Sequence, residues 1–124
     1  MIGPVLIYSG SAIVLFWGIA HLFPTRSVVA GFGDISIDNK RIITMEWIVE
    51  GVALIFIGSV NVIVTAIDPN GSISLAIYLN SGVVLIVLAF VSFFTGFKIR
   101  FLAFKLCPVI FMTSAVLIII GGLL

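Results

Sequence analysis

The sequence predicts an all-α polytopic membrane protein: four transmembrane helices in one antiparallel bundle, with both termini on the non-cytoplasmic side. Three observations lead there. Of the 124 residues, 62% are hydrophobic and 9% charged, and the mean hydropathy is +1.41; a soluble domain carries about a quarter charged residues. The apolar residues gather into four runs, each long enough to cross a hydrocarbon core that needs roughly 20 residues of helix. Those runs are continuous rather than alternating, and an open sheet would leave unpaired edges in lipid.

The first run covers about residues 2–23 and stops at Pro24. No basic segment precedes it, so it reads as a retained helix rather than a cleaved leader. The second covers about 42–67 and stops at Asp68-Pro69, the third about 73–97, and the fourth about 101–124. Together they make residues 1–124 a single transmembrane domain. Pro69-Asn70-Gly71 has the residues of a tight turn, which makes the second and third helices a hairpin. The long connection, about 24–41, holds Gly31 and Gly33 as helix breakers and Ser36 or Asp38 as a cap for the second helix. Its Val28, Val29, Phe32, Ile35 and Ile37 are too apolar for a solvated linker. It is expected to fold onto the bundle end or the membrane interface, or to dock a partner.

All six Lys and Arg residues fall on one side of this topology. Arg26, Lys40 and Arg41 lie in or beside the first loop, and Lys98, Arg100 and Lys105 in or just beyond the third; the second loop carries only Asp68. The positive-inside rule then makes loops one and three cytoplasmic. The expected location is a prokaryotic cytoplasmic membrane. A formal charge of +1 gives no basic face for nucleic acid. The lone Cys107 excludes an internal disulfide and a multi-cysteine zinc site.

Polar residues inside the spans are the functional candidates, because an uncompensated polar group is most costly near the midplane. Asn61 and Asn80 fall at similar depth on the hairpin, and an interhelical hydrogen bond between them is expected. Gly3 and Gly10, and Gly51 and Gly58, recur seven apart and permit close helix approach. Tyr8 and Tyr78 at one face and Trp47 at the other fit aromatic belts, whereas Trp17 lies deeper. Pro108 predicts a kink or the first turn of the last helix, with Cys107 a small packing residue.

At the opposite end from the hairpin turn, His21, Glu46, Glu50 and Lys105 approach one level, flanked by Trp17 and Trp47. Three readings are open. Glu50 could pair with Lys105 or His21 while Glu46 pairs with Arg41 or Arg26 or faces water. His21 and Glu50 could exchange protons or cations. Or the group could bind a metal, or with the tryptophans line a quinone, lipid or haem pocket. A carboxylate-bridged di-metal centre is rejected, since it needs more acids and a Glu-x-x-His pair. No metal site and no particular cofactor is assigned, and no catalytic residue.

The overall plan and the stretches GIAHLFPTR and FKLCPVIF resemble small DoxX-like four-helix membrane proteins. Some of these are small subunits of membrane oxidases, so the resemblance implies an accessory role in a redox complex; no residue roles carry over. With short tails and no catalytic motif, the chain reads most simply as a non-catalytic accessory or structural subunit. Its expected partners are membrane lipids and other membrane proteins or further copies of itself. The alternatives are a small proton-coupled transporter, or a quinone-, lipid- or haem-binding protein built on His21 and Glu50.

Overall fold

The computed structural model describes residues 2–124 and contains five helices. These are α1 (Ile2–Leu22), a short α2 (Thr25–Ala30), α3 (Ile37–Ile67), α4 (Ser72–Gly96) and α5 (Leu102–Leu123). α1, α3, α4 and α5 are each long and apolar enough to cross a membrane.

The long connection is more ordered than its glycines suggest. Pro24 ends α1, and the hydroxyl of Thr25 donates to the Leu22 carbonyl at 2.6 Å, satisfying one of the acceptors a helix end leaves open. α2 follows at once and packs against α3. Gly33 then turns the chain with φ +74°, a conformation that favours glycine. Ser36 caps α3, its Oγ accepting from the Asn39 amide at 3.1 Å. Helix therefore begins at Ile37, five residues before the apolar run, because the cap and not hydropathy decides where the backbone starts to coil. At 31 residues α3 is about 46 Å long; its first turns extend past the end of α1.

Across the tight turn, Asp68 accepts from the Asn70 amide through Oδ1 at 3.2 Å, and its carbonyl accepts from Ser74 Oγ at 2.6 Å. The predicted hairpin residues thus make the turn.

α1 packs along both α3 and α5, and α5 along α4. These helices are apolar all round, so polarity does not distinguish the inner face from the outer; side-chain size does. The buried stripe of α1 is Gly3, Ile7, Gly10, Ser11, Val14 and Gly18. A Cβ on Gly3 would lie 2.7 Å from the Gly121 carbonyl oxygen, one on Gly10 2.9 Å from that of Ser114, and one on Gly18 2.9 Å from that of Gly51. Large side chains such as Phe16, Ile63, Val87 and Phe94 point outward instead.

Near the hairpin, the interhelical polar contacts are other than predicted. Asn61 Nδ2 donates to Ser81 Oγ at 2.8 Å, and Asn80 is exposed. The buried stripe of α4 (Tyr78, Ser81, Gly82, Leu85, Ala89) sets this, because Gly82 is the position that lies against Ile119 and Ala115 of α5. With α4 so rotated, Ser81 faces inward and Asn80, one residue or about 100° away, faces out. Tyr78 is likewise fully buried rather than in a belt, sharing a 2.8 Å hydrogen bond with Thr65 Oγ1. Trp47 is also turned inward, while Tyr8 stays exposed.

Ser11 Oγ and Ser114 Oγ are buried without a hydrogen-bond partner among the described residues. Their value is small volume where helices meet. We therefore expect Asn61→Val to lower stability by about 0.6–2 kcal/mol. Ser114→Ala is expected to be neutral or slightly stabilising, since it removes a desolvated hydroxyl and no bond. Unfolding of both variants in one detergent checks the contrast; equal losses would contradict it.

Candidate functional site

At the end of the bundle away from the hairpin turn, the four long helices enclose a cleft of about 530 Å³. α1 contributes Trp17 and His21, α3 Trp47 and Glu50, and α5 Phe104 and Cys107; α4 supplies the facing wall. Most of the lining is apolar, as expected of a small-molecule site with a few convergent polar groups.

Reciprocal contacts between His21 and Trp47 hold one wall. Trp47 Nε1–H donates to the His21 carbonyl at 2.8 Å, and His21 Nε2 bonds the Trp47 carbonyl at 3.1 Å. The rings stack with centroids 3.9 Å apart and planes 16° from parallel. This clasp follows from local sequence. His21 lies in the last turn of α1, where Pro24 stops the helix and carbonyls need outside donors; the indole of Trp47 supplies one. The Trp47 ring also approaches Phe104 at 6.0 Å, carrying aromatic contact from α1 through α3 to α5.

A carbonyl can only accept, so His21 Nε2 carries a proton. The same nitrogen lies 3.5 Å from Glu50 Oε2. The imidazole provides this N–H to the carboxylate as well as to the Trp47 carbonyl. The His21 side chain is 9% exposed and that of Glu50 46%; Glu50 lines both the cleft and a shallow groove on the outside of α3.

Pro108 interrupts the hydrogen-bond ladder of α5 at this level. It lies inside α5 rather than at its first turn, and lacks the N–H that would bond the carbonyl four residues back, that of Phe104. The Phe104 carbonyl oxygen faces Gly96, another residue of the cleft wall.

Of the four residues placed near one level, His21 and Glu50 come together. Glu46 is exposed and makes no ion pair among the described residues, bordering a shallow groove on the outside of α3. Gly51 packs at Gly18, so Glu46, more than a turn before Gly51, lies past the end of α1 with no partner there. Lys105 is exposed and sits over the Phe97 ring at 5.9 Å; it is about 120° around α5 from Phe111 at the centre of the buried stripe. No group of three metal-ligating side chains occurs among the described residues. Trp17 and Trp47 both line the cleft. Sequence reading missed Phe104 and treated Cys107 as packing alone; the signal for Phe104 was Pro108, which names its own i−4 carbonyl.

Neither a protein-family model, nor a characterised protein, nor a solved structure matches the chain.

Proposed function

We propose that this chain is a binding protein for a small amphipathic molecule, embedded in the cytoplasmic membrane as an antiparallel four-helix bundle. By the positive-inside rule the cleft opens near the cytoplasmic face and both termini lie on the other side. The carrying observation is the cleft itself: an apolar cavity of about 530 Å³ with the His21–Glu50 pair and two tryptophans on its wall. The ligand's apolar body would occupy the space lined by the four long helices, with its polar end at Glu50. An accessory or structural role in a larger complex draws on the apolar outer faces, which lipid satisfies equally well. The cleft gives the binding reading the stronger support.

Trp17 and Trp47 are the only two tryptophans in the chain, so intrinsic fluorescence reports on the cleft alone. The test titrates purified protein in mild detergent with three aromatic probes of similar shape: tetraphenylphosphonium, tetraphenylborate and triphenylphosphine oxide. At least one is expected to quench saturably. Ala103→Phe, which adds a ring from α5 into the cleft, should weaken that binding by about tenfold or more, a loss of at least 1.4 kcal/mol. If no probe saturates, or if Ala103→Phe binds as the wild type does, the proposal fails.

A further inference from the structure

Resting on that reading, we infer that the ligand class is an organic cation, a quaternary onium or protonated amine carried on an apolar or aromatic body. The charged side chains of the cleft are of one sign, and beside them the buried Trp17 Nε1–H has no hydrogen-bond partner among the described residues. The cleft's one carboxylate, Glu50, shares the lining with Trp17, Trp47 and Phe104, and no Lys or Arg lines the space. Lys98, Arg100 and Lys105 lie at this end of the molecule, but the chain around Lys98 and Arg100 offers the cleft Ile99 and Phe101, and Lys105 turns to Phe97.

The carboxylate, the aromatic rings and the lack of Lys or Arg favour positive charge over negative. Aromatic faces attract a cation through their quadrupole, most strongly for tryptophan and when water is excluded. A carboxylate partly withdrawn into a low-dielectric wall gains more from an opposite charge than it would in water. An anion would meet the Glu50 carboxylate directly, and a neutral ligand would gain nothing from it. His21 holds Glu50 in place through Nε2–H without displacing a ligand, because its bonds to Trp47 and Glu50 are made along the wall.

The same three probes separate this inference from the binding proposal. Tetraphenylphosphonium should quench the tryptophans saturably, and tetraphenylborate and triphenylphosphine oxide should bind at least about tenfold more weakly. Glu50→Gln, nearly isosteric, should remove the preference by weakening the cation about tenfold while leaving the neutral probe unchanged. Glu50→Asp should keep the preference for the cation and serves as the check should Glu50→Gln fold poorly, with helical circular dichroism read on both. Equal binding of all three probes, preference for the anion or neutral probe, or an unaltered preference in Glu50→Gln would overturn the cation assignment and leave the cleft as a binding site. Absence of saturable binding by any probe would remove both.

Discussion

A Gly58→Ala variant is expected to be less stable by about 1–3 kcal/mol, although alanine is the better helix former by about 1 kcal/mol. A Cβ at this position would lie 2.5 Å from Leu15 Cβ, 2.7 Å from the Ser11 carbonyl oxygen and 3.0 Å from Leu15 Cα. Two of those three are backbone atoms and the third is fixed to backbone, so no rotamer change relieves the clash; α1 and α3 must move apart. That separation would weaken packing along the whole α1–α3 seam, including Gly18 against Gly51. Gly96→Ala is the control. Its Cβ would meet nothing nearer than 3.8 Å, and it should stay within about 0.5 kcal/mol of the wild type. Thermal or denaturant unfolding of both in one detergent decides the point; coincident curves would show that the close approach does not limit stability.

Trp47→Ala should have the largest effect, about 3–5 kcal/mol. It removes three things together: the stack on His21, the N–H that bonds the His21 carbonyl, and the aromatic contact to Phe104. Trp47→Phe keeps an aromatic ring against His21 and loses the donor, so a smaller loss of about 1 kcal/mol is expected. The order wild type, Phe, Ala in unfolding midpoint is the result to look for. Were Phe and Ala equally destabilised, the hydrogen bond and not the stack would account for the wall's stability. Because His21 orients Glu50, Trp47→Ala should also reduce probe selectivity; the single remaining tryptophan, Trp17, still reports binding.

The His21–Glu50 pair shows how far position along a chain can reach. Counting residues from Pro24 and from Ile67 placed both near one level, and the structure brings them to 3.5 Å. The same counting put Glu46 and Lys105 there too, and they do not join. Depth along a helix is read from sequence distance, because each residue adds a fixed rise. Direction around the axis is not, in helices whose residues are apolar on every side. Asn80 and Ser81 make the same point: adjacent residues, both polar, of which only the second faces α3.

By itself the sequence determined the four long apolar helices, the Asp68–Gly71 turn, a cap at Ser36 or Asp38 and the crowding of Lys and Arg toward one end. Each rests on local information: summed hydropathy, backbone preferences of proline and glycine, or a hydroxyl within reach of a nearby amide. Tertiary structure decided the rotation of each helix, through contacts such as Gly58 on Ser11 and Gly82 on Ile119. It thereby decided that Tyr78 is buried and that Trp47 stacks on His21. It also decided that a cleft opens beside Glu50. In a protein whose helices are apolar all round, small side chains fix these rotations by letting backbones meet, and which small residues meet is settled only when all four helices pack.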